Sequence, residues 1–132
     1  MSAPELPPPA PGTDAESGVL YYVQHIVDGP QRQEATIRLK GWLTNQIIAD
    51  ADPGDYGALY CVWADLEDIA DAFTDEAAFE AVAPDAAREW LAAHADPTER
   101  AAWVARWNAW LAGYAKTHTV HWKRPGFVPR NS

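Results

Sequence analysis

Residues 96–114 read DPTERAAWVARWNAWLAGY, and this stretch decides the fold class. Trp103, Trp107, Trp110 and Tyr114 recur at steps of four, three and four, which places all four rings on one face of an α-helix. Val104 and Leu111 widen that face. The start is marked three ways: Asp96 can cap, Pro97 suits the first turn, and Glu99 can close a capping box. A large aromatic ring buries roughly 150–250 Å², so this face must meet a core, a ligand or a partner. Aromatic stripes of helical period are usually packing surfaces, and a Trp-filled core is the reading preferred over a ring-lined pocket. The expected fold is mainly α, a single-domain helical bundle built around this Trp-rich C-terminal helix.

Upstream, Asp52-Pro53-Gly54-Asp55 repeats the capping logic of residues 96–99. The helix that follows carries Leu59, Val62, Trp63, Leu66, Ile69, Ala70 and Phe73 at three-four spacing. Thr74 reads as the cap of a short helix ending near Val82, and Pro84 as the opening of another that contains Trp90 and Leu91. Residues 30–51 are rich in helix formers, with Ala35, Leu39, Trp42, Leu43 and Ile47 on one face and Glu34–Arg38 at i,i+4. The alternation Ala35, Ile37, Leu39 keeps a strand open for the first half. Residues 19–27, VLYYVQHIV, suit a strand by β-branched and aromatic content and a helix by apolar spacing; helix is preferred. Residues 117–123, THTVHWK, alternate and read as a short strand or an extended tail. The Pro-rich start should be extended and partly polyproline II. The layout is an arm at 1–17, a helical domain at 18–116 and a basic, aromatic tail at 117–132.

A chain of 132 residues holds one domain with room for a core, and its seven Trp say that rings fill that core or a binding face. The net charge of −9 argues against direct nucleic-acid binding, which needs cations for phosphates. The distribution is sharper than the sum. Residues 50–99 hold fourteen acids and one base, Arg88, whereas residues 100–132 hold six bases and no acid. Cys61 is the only cysteine, so no intramolecular disulfide can form. That fits a reducing cytoplasm, with Cys61 expected to be a small buried hydrophobe. The N-terminus lacks the basic start and apolar run of a signal peptide, and no stretch approaches a membrane span.

Asp65, Asp68 and Asp71 stand at i, i+3 and i+6 on the expected helix. Carboxylates one turn apart can hold Mg²⁺ or Mn²⁺, and with Glu76 and Glu80 as a second pair they would suit a metal-dependent phosphohydrolase or pyrophosphatase. Such runs more often mean a solvated acidic face, so no metal and no cofactor is expected. His118 and His121 would point to opposite faces of a strand, which disfavours zinc. There is no Gly-rich phosphate loop, G-x-S-x-G or C-x-x-C, and the serines at 2, 17 and 132 give a triad poor material. No motif points to a family. The leading expectation is a non-enzymatic acidic protein–protein interaction module, of the assembly, immunity, antitoxin or phage-accessory kind. It would meet a basic protein, or a neighbouring copy of itself, through Asp65, Asp68, Asp71 and Asp75 and through the tail residues Trp122, Lys123, Arg124, Phe127 and Arg130. The alternatives are the phosphohydrolase and a nucleic-acid mimic, in which spaced carboxylates imitate phosphates on a DNA-binding enzyme.

Overall fold

Aspartates start most of the helices. In the computed structural model, which describes residues 6–118, the chain forms α1 (Ala15–Asp28), α2 (Arg32–Ile48), α3 (Tyr56–Ala70), α4 (Glu76–Ala93) and α5 (Pro97–Thr117). The Asp14 carboxylate accepts from the Ser17 amide, Asp75 from Ala78, and Asp96 from Thr98 and Glu99. Each satisfies a backbone donor that the first helical turn leaves without a partner. The Asp96 amide donates to the Ala93 carbonyl, so Glu99 closes no capping box. At α3 the motif acts at longer range than its twin. Asp52 accepts from Gly54 and Tyr56, and the helix starts only at Tyr56.

The described residues contain no strand. Residues 19–27 lie inside α1, and Ala35, Ile37 and Leu39 inside α2. The apolar positions of α1 all face one core, which a strand would have split between two faces. Thr117 belongs to α5 and His118 ends it; residues 119–132, with Trp122, Lys123, Arg124, Phe127 and Arg130, lie outside the described residues. The boundary of the arm also moves, because α1 begins at Ala15. Leu6 is buried against the core, and the Tyr21 hydroxyl donates to the Pro7 carbonyl at 2.6 Å.

Residues 76–93 form one helix instead of two. Thr74 has φ 51°, a left-handed conformation unlike the extended one an N-cap needs, and the cap falls to Asp75. Pro84 sits inside the helix, where it removes one amide donor. Strong helix-forming alanines surround it, and Ala83, Pro84, Ala86 and Ala87 are all buried, so packing overrides the break.

The helices are joined by short connections and pack as a closed ring: α1 on α2, α2 on α3, α3 on α4, and α4 back on α1. This is an up-down-up-down four-helix bundle. α5 lies outside the ring, on α3 and α4. The Trp-rich helix is therefore an addition to the bundle, and α4, which meets every other helix, is its hub. The core runs through Val19, Val23 and Ile26 of α1, Leu39 and Leu43 of α2, Trp63 and Leu66 of α3, and Phe79 and Trp90 of α4. Trp103, Trp107, Leu111 and Tyr114 dock α5 onto it, while Trp110 stays 38% exposed.

Candidate functional site

Three ring and charge contacts fix how α3 and α5 run. Arg100 binds Asp55 at their starts, Trp63 and Trp103 meet at 5.6 Å midway, and Phe73 meets Tyr114 at 5.2 Å near their ends. The two helices are parallel. One end of the molecule therefore collects the starts of α1, α3 and α5 with the end of α4, and the other collects the end of α3 with the start of α4.

The first end is organised by Arg100. Its Nε donates to Asp55 Oδ2 at 2.7 Å and its Nη2 to Asp55 Oδ1 at 2.8 Å, a two-pronged pair. Nη1 donates to Glu16 Oε2 at 2.6 Å and to the His94 carbonyl at 3.0 Å. The Tyr56 hydroxyl donates to Glu16 Oε1 at 3.0 Å, and His94 Nδ1 lies 3.4 Å from Glu16 Oε2. The guanidinium also covers the Trp90 ring at 4.6 Å. The hydrogen bonds that Arg100 donates to Asp55 and Glu16 raise its pKa further, against the pull of its own desolvation, so the charge is permanent. Burial, then the Glu16 carboxylate, raises the Tyr56 phenol. Asp14, Glu16, Tyr56, His94 and Arg100 line an open cleft of about 480 Å³. Chemically the hub is a clamp, since most of the guanidinium N–H groups and both Glu16 oxygens already serve neighbouring helices. The sequence reading missed it. A signal was available: Arg100 is a cation in the first turn of a helix, where the dipole disfavours it unless acids are supplied from elsewhere.

The other end holds the acidic residues. Glu67, Asp68 and Asp71 place one carboxylate oxygen each within 4.8 Å of one another. They sit in the last turn of α3 and at its C-cap, where unpaired carbonyls make the potential negative. Lys40 Nζ reaches Glu67 Oε1 at 3.2 Å and Gln33 Nε2 reaches Oε2 at 3.1 Å, so Glu67, which is buried, belongs to the α2–α3 contact. Asp68 is half-buried and Asp71 exposed. Asp65 is half-buried and stands apart from this trio; Asp75 caps α4 and accepts from the Tyr114 hydroxyl at 3.1 Å. Of the four aspartates expected on one ridge, two therefore gather and one has a structural task. Glu80 pairs with Arg32 at 2.9 Å and does not join them. Cys61, expected in the core, is exposed on the outer face of α3.

Comparison with protein-family models, with curated proteins and with solved structures gives no match for this chain.

Proposed function

We propose that this protein is an acidic protein–protein interaction module that receives a basic segment of a partner at the end of α3. The supporting observation is a local electrostatic conflict. Asp68 and Asp71 gather beside Glu67 at the C-terminal end of a helix, where the helix dipole disfavours carboxylates. Local rules tend to be broken at functional sites. A cationic peptide would be drawn to this end, and the exposed Glu76 in the first turn of α4 adds to the same sign of charge.

A Lys- and Arg-rich peptide titrated into the full-length protein should raise the melting temperature, because it binds only the folded form. The rise should shrink with salt as the Debye length shortens. Asp68→Asn with Asp71→Asn should abolish it. If the peptide gives no rise, or the same rise on that variant, the proposal fails. Mg²⁺ and Mn²⁺ belong in the same series. A metal-specific rise lost with Asp71→Asn, without a peptide effect, would favour the phosphohydrolase reading instead.

A further inference from the structure

We infer that α1 carries a docking groove for a leucine followed by a proline run, that the chain's own arm fills this groove in cis, and that such a segment of a partner protein takes it when the arm lets go. The groove is separate from the acidic end of α3. Leu6 is 7% exposed and belongs to the hydrophobic core, although no helix begins before Ala15. Pro7 and Pro8 beside it are exposed and Pro9 is half-buried. One side chain is thus plugged into a socket, and the prolines lie along the surface. The Pro7 carbonyl accepts from the Tyr21 hydroxyl at 2.6 Å. The Tyr21 ring packs edge-on against Tyr22 at 5.1 Å and His25 at 4.7 Å, which holds that hydroxyl in place. Proline has no amide hydrogen to give, so a run of prolines is read through its carbonyls and its stiff, low-entropy shape, on aromatic surfaces.

A turn directs the arm into this groove. The Ala10 carbonyl accepts from the Thr13 amide at 3.1 Å and from the Thr13 hydroxyl at 2.6 Å. Pro11 and Gly12 fill the middle, Gly12 with φ 85°, as a type II turn requires. The chain reverses just before α1, so the arm runs back over the helix it precedes, and Pro7 meets Tyr21 across 14 positions. A tether this short gives the arm an effective concentration on the order of millimolar, and any free segment must compete with it. A Cβ at Gly12 would meet nothing, so only the positive φ calls for glycine there. The turn is a hinge that can be loosened without touching either ligand or groove.

The seated arm defines the chemistry of the occupant: a leucine, then prolines with an accepting carbonyl, and no charge. A second copy is the poorer source of it. Two chains of net −9 repel, and each has its own arm already seated. A neutral or basic partner that exposes a Leu-Pro-Pro segment faces no such repulsion, and its segment is free to compete.

The experiment is fluorescence anisotropy of a dye-labelled, end-capped peptide LPPPAP, the sequence of residues 6–11, titrated with full-length protein. Circular dichroism confirms that each variant is folded. Leu6→Asp disables the tethered ligand, and Gly12→Val opens the turn while leaving ligand and groove unchanged. Each variant should bind the peptide about tenfold or more tightly than the wild type, because the arm no longer holds the groove. Tyr21→Phe added to Leu6→Asp should weaken the peptide about fivefold, the worth of one hydrogen bond. The peptide DPPPAP should bind none of them. Binding to neither opened variant overturns the inference, as does equal binding by wild type and opened variants, or equal binding of LPPPAP and DPPPAP. So does sedimentation in which Gly12→Val dimerises and the peptide dissolves the dimer, which would give the groove to a second copy's arm.

Discussion

The indole of Trp42 on α2 lies directly over the α-carbon of Gly18 on α1, in the space a Cβ would take. The Trp42 Nε1 then donates to the Ala15 carbonyl at 2.8 Å, tying the ring to the first turn of α1. Glycine here is required by contact, whereas a Cβ on Gly41 of α2 would meet nothing. Gly18→Ala should therefore destabilise the fold by about 1–3 kcal/mol through overpacking, although alanine is the better helix former by about 1 kcal/mol. Chemical denaturation measures this; a variant more stable than wild type would show that Trp42 can swing away at no cost.

Trp107 and Trp110 separate packing from exposure on one helix. Trp107 is 4% exposed and Trp110 is 38% exposed. Trp107→Ala should cost ~3–5 kcal/mol, as for a core ring, and Trp110→Ala a small fraction of that. Equal losses in the two denaturation curves would mean that α5 is not seated by its buried ring face.

Arg100→Met should cost about 2–4 kcal/mol, somewhat below the ~3–5 kcal/mol of a fully buried broken pair, because Asp55 and Glu16 keep part of their water. Arg100→Lys should recover little. An ammonium cannot reproduce the two-pronged contact with Asp55 while also reaching Glu16 and the His94 carbonyl. Full recovery by Lys in a urea titration would reduce the hub to simple charge neutralisation.

Alkaline pH should loosen the end of α5. Burial first, and the hydrogen bond to Asp75 second, push the Tyr114 phenol from its ordinary 10.0 up to about 12. A folded-state value above the unfolded one gives stability that is complete below pH 10 and lost as the pH climbs towards about 12. Tyr114→Phe should flatten that part of the decline in melting temperature with pH. An unchanged slope would place the alkaline sensitivity elsewhere, for instance at Tyr56.

Asp71→Asn should stabilise the free protein by roughly 0.3–1 kcal/mol, since it removes an exposed acid from the negative end of α3. Mutations that improve stability at a binding site commonly cost function, so the same variant should bind a basic peptide less well. Destabilisation in thermal unfolding would mean that Asp71 has a structural partner outweighing the dipole.

Helix existence was legible because period and caps agree: the 103–114 ring stripe with Asp96, and the 59–70 stripe behind Asp52. The arrangement of those helices was not. Seven Trp made α5 look central, but the deepest rings are Trp63 and Trp90, on helices whose facing partners the sequence does not name. Pro84 misled for a related reason, because burial between alanine-rich turns outweighs a lost hydrogen bond, and burial is a tertiary fact. The Arg100 clamp joins residues separated by 84 and 45 positions, Glu16 and Asp55. No local pattern encodes such a meeting. Helical spacing groups Asp65, Asp68 and Asp71, whereas the structure brings Glu67, Asp68 and Asp71 together and uses Asp75 to cap α4, because which neighbour reaches the α2 side depends on packing.

Because α5 packs on α3 and α4 and reaches α1 only through the Arg100–Glu16 pair, while the other four helices close on themselves, the molecule has a natural seam. Amide protons of α5 should exchange with solvent through a partial opening that leaves the ring shut, at a lower free energy than those of α4, whose release requires the whole bundle to come apart. A fold that reads as one domain by length would then melt, on the finest scale, in two tiers.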